Sequence, residues 1–141
     1  MGMIYHHTEG IKFSIGHRLE IRKWIKNAIA SENRVLGEVN IIYCSDEYLL
    51  KINQDSLDHD YYTDIITFDY CEGQEIIGDL FISVDRVRDN AKQVKVDFKD
   101  ELHRVIIHGI MHLCGYADKT KVEKALMTEK ENKYLNLLIN N

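Results

Sequence analysis

The chain has 141 residues and a mass of 16.5 kDa, the size of one ordinary domain, which buries roughly two thirds of the surface its unfolded form exposes. Apolar residues make up 45% and charged residues 29%, and no apolar run is long enough for a membrane helix, so disorder, a membrane span and a disulfide mini-scaffold are excluded. The net charge of -5 argues against passive coating of nucleic acid or anionic lipid, but it is uneven: residues 1–37 carry six basic and three acidic groups, residues 38–85 one and twelve, and residues 86–141 eleven and eight.

In chain order, a short strand is predicted through Met3 to His7. From Ser14 to about Ala30 the apolar residues Ile15, Leu19, Trp24, Ile25, Ala28 and Ile29 recur at helical spacing, with Arg18, Arg22, Lys23 and Lys26 on the opposite side. Val35 to Tyr43 reads as a strand, Ser45 as the cap of a short helix through Leu49 and Ile52, and Asn53 to Tyr62 as a loop. Asp64 to Phe68 and Ile76 to Val84 are rich in Ile, Val, Thr and Phe and read as strands, with Gly78 marking a bulge or a close approach by another chain. Helices are predicted over Asp85 to Val94 and Lys99 to Leu113; the second is apolar around most of its circumference and should be buried and central. Gly115 ends it, and the Thr120/Glu123 capping box opens a final helix using Val122, Leu126, Tyr134, Leu137 and Leu138. No Pro, repeat or Gly/Ser tract divides the chain, so residues 1–141 are expected to form a single domain of α+β class with a small mixed sheet.

The segment HGIMHLCGYADKT, beginning at His108, carries the chemistry. His108 and His112 are four apart on a helix, which stacks their imidazoles on one face at a separation suited to a shared metal. Both interrupt an apolar helix, where an unpaired imidazole would incur a desolvation cost of about 1–3 kcal/mol. Gly115 permits a sharp turn, and Asp118 can return as a third ligand. Two imidazoles and a carboxylate suit one zinc ion and leave a fourth position open, as catalytic sites require. The spacing is similar to the metzincin signature, but those enzymes place a general-base Glu directly after the first His, where this chain has Gly109.

The same segment resembles the YbeY endoribonucleases, or rRNA maturation factors, whose hallmark HGxxHLxGYDH is matched by His108, Gly109, His112, Leu113, Gly115 and Tyr116. The resemblance continues through Asn53, through Thr63, Asp64, Ile65, Ile66, Thr67 and Phe68, and through Gly78, Asp79, Leu80 and Phe81, covering roughly residues 35–135. It implies an α+β fold, one zinc-like ion on three side chains, cleavage of single-stranded RNA, and work in 16S rRNA 3′-end maturation and ribosome quality control, with the small ribosomal subunit as partner. Two positions depart from the family pattern. Its third His falls on Asp118, which lowers the charge at the metal from +2 to about +1, and its loop Arg falls on Leu57, with the next basic position on His59.

Among the remaining residues, His59, beside Asp60, can donate to a phosphate or move a proton, Asp79 can orient substrate or a partner, and Arg104 and Glu101 can support a ligating imidazole from behind. His6, His7, His17 and His103 have no partner pattern and are read as surface residues. Cys44, Cys71 and Cys114, odd in number and far apart, read as small hydrophobes in a reducing compartment. The N-terminus lacks a signal-peptide pattern, so a cytoplasmic address is expected, with no membrane and no DNA partner. The strand Ile76 to Val84 and the loop Asn53 to Tyr62 should flank the ion, with Arg18, Arg22, Lys23 and Lys26, or Arg86 and Arg88, attracting an RNA backbone. A ribosome-associated assembly factor with a mainly structural metal, and more remotely a metzincin-like peptidase, are the alternative readings.

Overall fold

Four strands pair into one mixed sheet in the computed structural model, which describes residues 2–59 and 61–139; Asp60 lies outside the described residues. The strands are β1 (Met3–Glu9), β2 (Val35–Cys44), β3 (Ile65–Asp69) and β4 (Glu75–Ser83), in the spatial order β1-β2-β4-β3. β1 and β2 run parallel, as do β2 and β4, while β3 lies antiparallel on the edge of β4. A parallel neighbour demands a crossover, and helix α1 (Arg18–Ser31) supplies it between β1 and β2. Alternation of strand and crossover is broken at β3, so the class is α+β with a mixed sheet.

Helix α1 starts later than its apolar spacing predicts because His17 takes a left-handed conformation, φ 57°, at its N-cap. Its buried face is Ile21, Trp24, Ile25, Ala28 and Ile29, and Leu19 points outward at 58% exposure. Helix α2 (Asp46–Leu57) is capped by Ser45, whose Oγ accepts the Tyr48 N–H at 3.1 Å. It runs through Asn53, where a loop is predicted, and ends only where Asp58 turns left-handed, φ 54°. No Gly or Pro interrupts that stretch, and burial of Asn53 at 2% exposure ties the last turn to the protein.

Helices α3 (Val84–Val94), α4 (Phe98–Leu113) and α5 (Lys121–Ile139) complete the chain. The large core lies between the sheet, α1, α3, α4 and α5, while α2 covers a smaller cluster of Cys44, Leu49 and Ile66. Helix α4 is the buried central helix, with Leu102, Val105, Ile106, Ile107, Ile110, Met111 and Leu113 inside. Two glycines let it press onto the sheet. A Cβ on Gly109 would come within 2.8 Å of Ile65 Cδ1 and 2.9 Å of Leu80 Cδ2, and one on Gly78 within 2.6 Å of the Phe68 carbonyl and 2.8 Å of Leu113 Cδ2. The close approach predicted at Gly78 is therefore real, whereas the register irregularity sits on β2, between Leu36 and Val39. The predicted capping box opens α5: Thr120 Oγ1 accepts the Glu123 N–H at 3.1 Å, and Glu123 Oε1 accepts the Thr120 N–H at 2.9 Å. Met127, Glu131 and Tyr134 form its buried side, while Val122, Leu126 and Leu137 are exposed.

Two of the histidines read as surface residues are not. His103 is buried against Trp24, and His6 is half-buried, stacked on Tyr43 and bonded to its hydroxyl at 3.0 Å. Both lie where helix α4 or strand β1 packs on the core, which composition around a single His does not reveal. No helix among the described residues is long and apolar enough to cross a membrane.

Candidate metal centre

The last two turns of α4 carry His108 and His112, whose rings meet edge to face with centroids 4.6 Å apart. Gly115, at φ +104°, then reverses the chain in a conformation that L side chains rarely adopt, and the return brings Asp118 back over both rings. The three groups present one ligand atom each within 4.8 Å of one another. His108 Nε2 lies 3.0 Å from His112 Nε2 and 3.1 Å from Asp118 Oδ2, which is 3.3 Å from His112 Nε2.

Those separations are close to what a shared metal requires. Bonds of about 2.0–2.1 Å at tetrahedral angles place ligand atoms about 3.3 Å apart. The outer ring nitrogens are already committed: His112 Nδ1 donates to the Tyr116 carbonyl at 2.8 Å, and His108 Nδ1 to Glu131 Oε2 at 2.6 Å. With both protons placed there, two Nε2 lone pairs and a carboxylate face one another, an arrangement that a shared cation would stabilise. The donor set of two imidazoles and one carboxylate fits zinc or a neighbouring transition ion.

The site is braced from behind. Glu131, on α5, is 6% exposed and also accepts from Arg104 Nη1 at 2.8 Å, while Arg104 Nη2 donates to Asn132 Oδ1 at 2.8 Å. Burial works against ionisation of Glu131, but the bonds from His108 and Arg104 outweigh it and hold its carboxyl below the usual range. Burial likewise opposes a charged His108, and Glu131, with help from Asp118 and Asp64, raises it above the ordinary imidazole value. Tyr116, whose carbonyl orients His112, is held through its own hydroxyl: Glu32 accepts from Tyr116 at 2.5 Å, from the Tyr134 hydroxyl, and from Lys130 Nζ at 3.1 Å.

An open groove of about 480 Å³ includes the cluster in its lining, together with Leu57, His59, Tyr61 and Thr63 and with residues of β3. Of the sequence-predicted residues, His59 reaches this groove with His108, His112 and Asp118. Arg104 stands behind the cluster, reaching His108 through Glu131, and Glu101 lines a smaller cavity with Arg104, His108 and Asp118. Asp79 is elsewhere, on β4, accepting from Asn40 Nδ2 at 3.2 Å. The strand beside the cluster is thus β3 and not β4, because β3 occupies the sheet edge under the C-terminal half of α4. None of Arg18, Arg22, Lys23, Lys26, Arg86 or Arg88 lines the groove. Arg22 donates to the Gly2 carbonyl, Arg86 is paired with Asp46 at 2.6 Å, and Arg88 lies over Phe98.

Three residues of the site escape sequence reasoning. Glu131 and Glu32 are brought in by tertiary packing from 23 residues after and 84 residues before their partners, at no motif spacing. Asp64, inside the strand motif, lines the groove near His108, and burial pushes its carboxyl above the usual range.

The family model for "Endoribonuclease YbeY" matches residues 5–139. Among curated relatives, a Bacteroides thetaiotaomicron protein named "Endoribonuclease YbeY" is 54% identical over 132 residues, covering 94% of this chain and 96% of its own length. One of the same name from Cytophaga hutchinsonii is 51% identical over 135 residues, covering 95% and 94%. Among solved structures, a Thermotoga maritima protein determined in solution superposes with a TM-score of 0.70 at 29% identity, over 96% of this chain and 89% of its own. The family match spans nearly the whole chain, including His108, His112 and the return to Asp118, and the chain belongs to the YbeY endoribonuclease family.

Proposed function

We propose that this protein is a single-domain, cytoplasmic, zinc-dependent endoribonuclease that cuts single-stranded RNA, acting on 16S rRNA 3′ ends in company with the small ribosomal subunit. The observation that carries this reading is the set of three ligand atoms 3.0–3.3 Å apart with both outer imidazole nitrogens already bonded. His108, His112 and Asp118 would hold the ion, which would supply Lewis acidity to a phosphodiester. His59, in the same groove lining, donates to a phosphoryl oxygen or moves a proton, and Arg104 acts as a positioning residue through Glu131. Asp79, away from the groove, suits contact with a partner rather than with the reacting phosphate.

Family membership, with close relatives named as endoribonucleases, supports RNA as substrate. Peptide cleavage is disfavoured because Gly109, packed against Ile65 and Leu80, stands directly after the first ligand and carries no carboxylate to act as base. A ribosome-associated factor with a structural metal is the second reading, favoured by Leu57 standing at the loop position where the resemblance places an Arg. The deciding experiment is product analysis on single-stranded and duplex RNA with and without chelator. Chelator-sensitive cuts confined to single strands support the first reading; inert, metal-loaded protein that still binds the small subunit supports the second.

A further inference from the structure

The groove is poor in cations. Asp64, Asp69 and Asp118 line it against Lys119, the one Lys or Arg among its described residues, so a bound divalent ion brings its formal charge only to about neutral. Coulomb attraction between this lining and an RNA backbone is correspondingly weak, and phosphate contacts alone do not account for retention of a strand.

The same lining offers aromatic faces instead. The rings of His59 and Tyr61 are stacked, with centroids 5.1 Å apart and planes 22° from parallel, and Tyr61 Oη is hydrogen-bonded to His59 Nδ1 at 3.1 Å. The pair stands in solvent, Tyr61 at 55% exposure. Its backbone is fixed at both residues by the buried Asn53, whose carbonyl accepts the His59 N–H at 3.0 Å and whose Nδ2 donates to the Tyr61 carbonyl at 2.9 Å. An exposed aromatic pair on a pinned loop loses little further freedom when a flat ligand settles on it.

Resting on the endoribonuclease reading, we propose that the His59–Tyr61 stack is a nucleobase platform: an unpaired base of the RNA stacks on its open face while the adjoining phosphate meets the metal cluster. A base in a duplex has both faces covered by its neighbours and cannot use the platform, so the same stack discriminates single strands from duplexes. Affinity then comes from ring contact more than from counterion release, and its dependence on salt is shallow.

The test is binding of a single-stranded oligoadenylate carrying one 2-aminopurine to zinc-loaded protein, read as Kd, as fluorescence quenching and against salt concentration. Tyr61→Ala should weaken binding tenfold or more and abolish the quenching with zinc content unchanged, Tyr61→Phe and Tyr61→Trp should keep both, and the wild-type slope against salt should correspond to no more than about two phosphates. Wild-type affinity and quenching in Tyr61→Ala overturns the platform, as does a Phe variant as weak as the Ala variant, which would assign the effect to the hydroxyl. RNA binding that survives Tyr61→Ala removes the platform alone, whereas a wild-type protein that binds no single-stranded RNA removes the endoribonuclease reading with it.

Discussion

The two walls of the groove are built in opposite ways. On the helix side, His108 and His112 sit on a buried helix, each outer nitrogen has a partner, and those partners, Glu131 and the Tyr116 carbonyl, are themselves held by Arg104 and Glu32. On the loop side, Leu57, His59 and Tyr61 are exposed, and the strongest constraint is a pair of bonds to Asn53. Ligand geometry must hold to a few tenths of an ångström, which needs bracing by packed elements, whereas a surface that receives a flexible polymer needs only placement. Metal binding and substrate recognition should therefore respond to different substitutions.

The largest effect is expected on the helix side. His108→Ala/His112→Ala should lose the ion, measured by elemental analysis after zinc loading, and all chelator-sensitive RNA cleavage with it, while Asp118→His should keep the ion. Next, Glu131→Ala should weaken zinc binding by about 10–100-fold in a chelator competition and lower stability by about 2 kcal/mol, since it strands His108 and the part-exposed Arg104. Unaltered zinc affinity in that variant would separate α5 from the metal site.

Glu32 gives a pH-dependent version of the same bracing. Burial raises its carboxyl, but the hydroxyls of Tyr116 and Tyr134 and the Lys130 ammonium outweigh that and hold it below its ordinary value of 4.5. A carboxyl depressed on folding contributes stability above its unfolded value and loses it as pH falls through the folded one. The stability gap between wild type and Glu32→Gln should thus be widest, about 1 kcal/mol, above about pH 4.5, and should close in more acid solution, as followed by urea unfolding. A gap that does not change with pH would mean the carboxylate's charge plays no part.

On the loop side the effects fall on RNA cleavage and not on metal content or stability. If the absent guanidinium limits turnover, Leu57→Arg raises chelator-sensitive cleavage and His59→Ala acts on KM alone, as loss of a stacking ring would; if His59 has taken its place, Leu57→Arg does little and His59→Ala lowers kcat more than about tenfold. Neither variant should change zinc content, and a change there would erase the contrast between the walls.

What the sequence makes legible follows the same divide. The clustering of His108, His112 and Asp118 is readable because a helix and a glycine turn fix their relation within eleven residues. The central helix and the Thr120 capping box were readable for the same local reason. Glu131 and Glu32 were not, because they reach the site through tertiary packing, where no periodicity reports on contact. Placing β4 beside the ion failed because strand order is set by long-range pairing: β3, the shorter strand, takes the edge next to α4. The cationic residues expected to attract RNA do not line the groove, and Arg22 and Arg86 are held by the Gly2 carbonyl and Asp46. Asn53 marks a third kind of difference, a polar residue read as loop that is buried inside helix α2.

The most direct test of the metal centre is a zinc-edge anomalous difference map from crystals of zinc-loaded protein. The account predicts one peak about 2.0–2.2 Å from His108 Nε2, His112 Nε2 and an Asp118 oxygen, with Glu131 still bonded to His108 Nδ1. A peak bound elsewhere, or a loaded protein with no density among these three side chains, would contradict it.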